Sequence, residues 1–400
     1  MPVLLAVALG VEAAACAQPA DSSVELGPRP AFLVADMRDG ELKSRLQACL
    51  AEPPRRTSFS IGHRGAGLVV PEHTLEAYEA AHRMGAGTLE CDVTFTSDGE
   101  LVCRHAQDDL ATTTDILLTP LASTCSKAFT PARLDANGAV RRPATAECRT
   151  SDITLAQFKT LRGKVDELDP AAQTVEAFVD PRRAPRPDLG EGLARGTLLS
   201  HAESIELFKR LRVRMIPELK EPVEWGGFTR EQFAQRLIDE YRAAGVAPSE
   251  VFPQSFERRA VDYWIAREPE YGRQAVLLDN VTFAPRTRRL RSYKAAGINF
   301  WGPALPGVLA LDDVGRIVPS RAARAARAAG LEIVTWTLER SGNLAAPNKG
   351  FYYRTIGAAV TREGDVLEVI DVLARDVGVR GIFSDWPATV SFYAGCAGLP

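Results

Sequence analysis

From Phe59 onward, short apolar runs alternate with amphipathic segments of helical period, and this alternation limits the possible folds more than any other feature of the chain. The strand candidates are SFSIGH, GTLECDVTF, ELVCRH, VRMIPELK, EVFPQSF, QAVLLD, INFWGP, LEIVTWTL and RGIFSDW. Helix candidates such as TLEAYEAAHRMG, REQFAQRLIDEYRAAG and VLEVIDVLARDVG lie between them. Three helices end in Ala-Ala-Gly just before a strand, at Gly245, Gly297 and Gly330, where a left-handed residue caps a helix. That rhythm belongs to βα units, whose parallel strands need a helical crossover at each step. With no Gly-rich dinucleotide fingerprint, the pattern predicts an α/β chain folded as a (β/α)8 TIM-type barrel rather than a doubly wound sheet. Nine candidates compete for eight positions, and the TSDG turn between GTLECDVTF and ELVCRH is too short for a crossover. Either the barrel is irregular there or one of these pieces is not a barrel strand.

The segment 106–200 breaks the rhythm, with one convincing helix in LAQFKTLRG. Stretches of this length inside a compact domain are usually functional, so it is expected to be an insertion at the barrel mouth that walls the pocket. Upstream, VLLAVALGV followed by EAAACAQPA has the h-region and small-residue cleavage pattern of a secretory signal over residues 1–17. A short buried helix is the competing assignment, and Cys16 as a lipid-attachment cysteine is a third. The domain plan is then a signal (1–17), an N-terminal extension (18–56) and a barrel (57–395) that includes the insertion. Export, to a periplasmic or extracellular destination, makes the six remaining cysteines disulfide candidates. Cys125 with Cys148 is the expected pair and Cys49 with Cys396 a weaker one. Cys91 and Cys103, inside strand-like runs, are expected to be buried thiols.

The charge balance of 48 basic and 51 acidic residues, with both signs mixed, argues against nucleic acid or an anionic membrane as partner. Beyond the N-terminus no apolar run approaches the roughly 20 residues of a span. A small-molecule substrate fits best, and the oligomeric state stays open.

Strand alternation puts Glu90 and Asp92 on one face of LECDV, with Cys91 on the other. Glu218, in MIPELK, is a third carboxylate near a strand end, where barrel enzymes keep their sites. Three carboxylates suit Ca²⁺ or Mg²⁺ better than zinc. His63 and His105 both end strands and supply a candidate acid/base pair. Arg64 offers a planar fork for two phosphate oxygens, and Lys220 adds charge on the same strand face as Glu218. His82 reads as solvated, whereas His73 and His201 precede helices and are expected to serve the helix ends.

IGHRGAG, PEHTLEAY, ECDVTFTSDGELVCRH and PELK, in that order and spacing, resemble the motif series of the glycerophosphodiester phosphodiesterase family. VFPQSF, VTWTL and GIFSDWP are similar to its later barrel strands. The resemblance implies metal-dependent hydrolysis of glycerophosphodiesters to sn-glycerol 3-phosphate and an alcohol. His63 and His105 would be the acid/base pair, Arg64 and Lys220 would hold phosphate, and Glu90, Asp92 and Glu218 would bind the cation. Gln254 and Trp336 would line the pocket. The family commonly has Asn where His73 stands and Asp where Ala106 stands; the second change removes a carboxylate that could orient His105, unless Asp108 or Asp109 takes its place. Two alternatives are a lyase acting on phospholipid, which needs an exposed apolar rim such as Phe351, Tyr352 and Tyr353, and a non-catalytic phosphoester-binding barrel.

Overall fold

The computed structural model describes residues 24–180, 195–280 and 287–400. The signal-like stretch and Cys16 lie outside the described residues. Eleven strands form one sheet: β1 (Thr57–Gly62), β2 (Ala86–Leu89), β3 (Asp92–Phe95), β4 (Leu101–Cys103), β5 (Arg214–Met215), β6 (Glu218–Leu219), β7 (Gln254–Ser255), β8 (Val276–Asp279), β9 (Phe300–Pro303), β10 (Glu332–Leu338) and β11 (Gly381–Ser384).

The sheet closes because two chain segments serve both ends of its order. β2 pairs with β1 and β5, while β3, its continuation, pairs with β6, the continuation of β5. Ladder bonds Ile216 N–H to Leu89 O, Glu218 N–H to Cys91 O and Lys220 N–H to Val93 O carry the pairing across the interruptions. The ring then runs through β7, β8, β9, β10 and β11 back to β1, all parallel. The result is the expected (β/α)8 barrel. ELVCRH is the ninth candidate that does not fit: β4 lies antiparallel to β3 outside the ring. The five residues 96–100 between them are enough for a hairpin and too few for a helical crossover.

The helices follow the predicted segments. Leu75–Arg83 starts at Thr74, whose side chain accepts from Ala77 N–H, and Arg230–Ala243 begins with a reciprocal capping box between Thr229 and Gln232. Gly245, Gly297 and Gly330 have φ between +67° and +87°, the left-handed geometry their position implied. Inside the ring, Ile61, Ile216, Val276, Val334 and Phe383 pack together, while a larger apolar layer joins the strands to the helices.

The segment after His105 carries a small core of its own, around Leu110, Ile116, Phe158 and Phe178. It contains two hairpins, Lys127–Thr130 with Thr145–Glu147 and Arg133–Leu134 with Val140–Arg142. Cys125 and Cys148 are bonded, as are Cys49 and Cys396 at the two ends of the chain. Cys91 and Cys103, expected as free thiols, are also bonded. The β3–β4 hairpin brings their α-carbons to 5.4 Å, a proximity that depends on which of the nine candidates leaves the ring.

Candidate active site

The site sits beyond the C-terminal ends of the strands, where consecutive residues of neighbouring strands meet in register. Glu218 is the direct partner of Asp92 on one side and of Gln254 on the other. Glu90, two residues before Asp92, shares its face. One oxygen from each of Glu90, Asp92 and Glu218 lies within 4.8 Å of the others, and all three side chains are buried. His63, Arg64, His105, Lys220, Gln254 and Trp336 line the same cavity of about 340 Å³ together with Glu90 and Glu218. Asp92 stands behind them. Every site residue named from the sequence is therefore brought to one place.

Three like charges in so small a volume need relief. Lys220 Nζ is 2.7 Å from Glu218 Oε1, Gln254 Nε2 donates to Glu90 Oε1 at 2.8 Å, and the Arg64 backbone N–H donates to Glu90 Oε2 at 3.0 Å. This is not enough. Burial, with Asp92 and Glu218 adjoining, holds the Glu90 carboxyl well above the usual carboxylate range, and burial pushes Glu218 up to about 7. Burial also disfavours the Asp92 anion, but Lys220 and His73 outweigh that and hold Asp92 well below its usual value. Asp92 Oδ1 and Gln254 Oε1 are buried with no hydrogen-bond partner. Three carboxylates that resist joint ionisation beside two orphaned oxygens fit a hard divalent cation bound through oxygen.

The two histidines sit in unlike surroundings. His63 Nδ1 bonds Asp385 Oδ1, and Arg340 Nη1 donates to the other oxygen of Asp385 at 3.0 Å. That leaves His63 Nε2 directed at the carboxylate trio, 3.8 Å from Glu90 Oε2. Burial lowers the His63 pKa and Asp385 opposes the shift. His105 is lowered well below its usual value by burial and then by Arg64 and Lys220, which favours neutral imidazole.

Sequence reasoning missed Asp385. It follows β11 in SDWP, a strand-end carboxylate whose only advance signal was that position. Glu72 was missed too. It is buried and receives Arg64 Nη1 at 2.8 Å and Arg104 Nη2 at 3.3 Å, so it fixes the guanidinium plane. His73 does not serve a helix end: its Nε2 lies 3.0 Å from Asp92 Oδ2 and its Nδ1 lies 2.9 Å from the Tyr78 hydroxyl. His201 is likewise buried, bonded to Glu240 and Tyr241 on the neighbouring helix. Asp109 accepts from Ala106 N–H at 3.0 Å, which tethers the backbone just past His105 rather than its ring.

Among the described residues, none from 106–200 lines the cavity. The expected walling is not seen among the described residues, which leave out 181–194. The segment packs alongside instead, for example through Thr197 N–H to Glu76 Oε2 at 2.7 Å and Gln107 Nε2 to Glu224 O at 2.8 Å. Of the expected apolar rim, Phe351 is exposed while Tyr353 is buried.

The chain matches the glycerophosphoryl diester phosphodiesterase family over residues 63–389. It is 43% identical over 246 residues to a protein of Arthroderma benhamiae named "Extracellular protein", covering 59% of this chain and 100% of that one. It is 29% identical over 286 residues to a probable glycerophosphodiester phosphodiesterase 1 of Mycobacterium tuberculosis, covering 70% and 82% respectively. The fold is similar to the crystal structure of a Silicibacter pomeroyi protein assigned to the glycerophosphoryl diester phosphodiesterases, at 21% identity and a TM-score of 0.56 over 89% of this chain and 98% of that one.

Proposed function

The chain belongs to the glycerophosphoryl diester phosphodiesterase family, and from that premise we propose that it hydrolyses glycerophosphodiesters to sn-glycerol 3-phosphate and an alcohol by two-histidine acid/base catalysis. The observation that carries the proposal is the convergence of His63 and His105 on one cavity beside the Glu90, Asp92 and Glu218 carboxylates. The three carboxylates would hold Ca²⁺ or Mg²⁺. Such an ion, when bound, supplies Lewis-acid neutralisation of charge on the phosphoryl oxygens.

The chain's own groups do the rest. Arg64, held by Glu72, and Lys220 bind the phosphate oxygens. One imidazole takes a proton from water, or from the adjoining glycerol hydroxyl, as the new O–P bond forms. The other gives a proton to the departing alkoxide as the old P–O bond breaks. Asp385 keeps the His63 proton on Nδ1, so that Nε2 faces the reacting atoms. Attack by the glycerol hydroxyl gives a cyclic phosphate that water then opens. Gln254 and Trp336 shape the pocket around the substrate.

Export to an oxidising compartment, periplasmic or extracellular, belongs to the same proposal and is supported by three disulfides among the described residues. The domain plan of extension, barrel and insertion is part of the same proposal. The test is a panel of glycerophosphodiesters assayed with and without chelator, with products followed by phosphorus NMR. Glycerol 3-phosphate is the expected product, and a cyclic phosphate as end product would assign the chain to the lyases instead.

A further inference from the structure

The two histidines are held in different ways. His63 is fixed through its ring, by Asp385 on Nδ1. Among the described residues no group hydrogen-bonds the His105 ring: Ala106 offers no carboxylate, and Asp109 is engaged with the Ala106 N–H. The His105 imidazole is therefore only as well placed as the backbone that carries it, at the end of β4. That strand is a slight support. It has three residues, lies outside the ring, and pairs with β3 through Val93 with Cys103, Thr94 with Val102 and Phe95 with Leu101. A hairpin this short is marginal alone, and its open end, at Asp92 and Arg104, is the end that leads into His105.

At that open end the Arg104 N–H donates to Asp92 O at 2.8 Å, and on the other edge the Cys103 N–H donates to Leu199 O at 3.1 Å. The covalent link across the hairpin is Cys91–Cys103, with both residues buried. Cys91 stands between the carboxylates Glu90 and Asp92, and Cys103 stands two residues before His105. We propose that this cystine is the positioning element for His105, locking the strand that carries the second imidazole to the strand that carries the carboxylates. The proposal rests on the phosphodiesterase assignment above and adds to it the means by which His105 is aimed.

The carboxylates do not depend on the link. Glu90 receives Gln254 Nε2 and the Arg64 N–H, Asp92 is bonded to His73, and the Ile216, Glu218 and Lys220 N–H groups tie residues 89–93 to the neighbouring segment. Beyond His105 the chain is also held: the Gln107 amide exchanges two bonds with the Glu224 backbone, each at 2.8 Å. Opening the cystine therefore leaves the arm attached and the carboxylates in place, and what it frees is the short stretch that aims the imidazole. A displacement of about 1 Å at a reacting group is enough to cost on the order of 10²-fold in rate.

The test compares the double variant Cys91→Ala with Cys103→Ala against Cys49→Ala with Cys396→Ala, which removes the disulfide joining the two ends of the chain. Each is measured, well below its melting temperature, for kcat and KM on a glycerophosphodiester and for affinity toward Ca²⁺ or Mg²⁺ by calorimetry. The first variant should lose about ten- to a hundredfold in kcat with KM and cation affinity within about twofold of the parent. The control should lose stability and keep its kcat. Where the first variant does not fold, the parent protein is reduced in its folded state, and kcat should fall as Cys91 and Cys103 thiols appear by mass. It should return on reoxidation by glutathione disulfide, one molecule of which yields two glutathione thiols as the protein S–S bond forms. A parental kcat without the bond overturns the proposal and leaves the phosphodiesterase assignment intact. Cation affinity falling in step with kcat overturns it too, because the link would then serve the carboxylates. An inactive parent protein overturns the assignment itself.

Discussion

Asp385→Asn removes one charge from the site and leaves the size of the side chain almost unchanged. In the parent protein Asp385 has one oxygen on His63 Nδ1 and the other 3.0 Å from Arg340 Nη1, both within a buried environment. An asparagine either keeps its carbonyl on Nδ1, preserving the tautomer without the charge, or turns its amide toward the ring and drives the proton to Nε2. The second outcome disables His63 and costs the full worth of one positioned acid or base, a fall in kcat of about 10²–10⁴, or about 2.7–5.4 kcal/mol. The first costs less but moves the pH profile. Burial already lowers the His63 pKa and Asp385 holds it up, so loss of the carboxylate moves the His63 ionisation further toward acid pH. The assay is a kcat/KM profile between about pH 5 and 9, with metal affinity measured calorimetrically on the same protein. A variant with parental turnover and an unshifted profile would refute the role of Asp385. Loss of metal binding in proportion to activity would show that Asp385 acts on the carboxylate cluster instead.

Glu90→Gln or Glu218→Gln keeps size and removes one ligand charge, so the apparent affinity for Ca²⁺ or Mg²⁺ should weaken at least tenfold by calorimetry. In metal-free protein the Glu218 carboxyl, raised to about 7 from 4.5, retains a proton that the unfolded chain has released, so its contribution to stability is lost as pH rises through that window. That contribution is on the order of 3 kcal/mol, and thermal melts between those pH values should show a decline that Glu218→Gln or added divalent cation reduces. Arg29→Met removes the cation that Glu339 and Glu363 face at 2.5 and 2.9 Å, while the Thr389 hydroxyl still donates to Glu339 and the Leu344 N–H to Glu363, and should destabilise the fold by about 3–5 kcal/mol in denaturant titrations. An unaffected midpoint would mean that the N-terminal extension is not integral to the barrel. Replacing Cys125 and Cys148 by serine should cost about 3 kcal/mol, read from the same titrations.

The barrel and the carboxylate cluster were legible because both follow from period. A side-chain repeat of two puts Glu90 with Asp92, and a β–α rhythm repeated along the chain allows few sheets. What was not legible depended on partners distant in sequence. Asp385 lies 322 residues from His63, and its role exists only once β11 closes against β1. The Cys91–Cys103 bond depended on recognising β4 as a hairpin arm. Its place just before Thr74 suggests a helix end for His73, yet its backbone has φ of +57° and its ring turns inward to Asp92. The insertion follows His105 as its loop-like composition implies, but its length alone does not show that its described apolar residues form a core of their own.

The central claim is that the carboxylate trio works through a bound divalent cation beside the histidine pair, and one titration tests it most directly. The rate of glycerol 3-phosphate release from a glycerophosphodiester is measured on protein stripped by chelator, then as Ca²⁺ or Mg²⁺ is added back. The account predicts no turnover in the stripped protein and full recovery with the cation, whereas His105→Ala, saturated with the same ion, stays about 10²–10⁴ slower. Full turnover by the stripped protein, or near-parental turnover by His105→Ala, would contradict it.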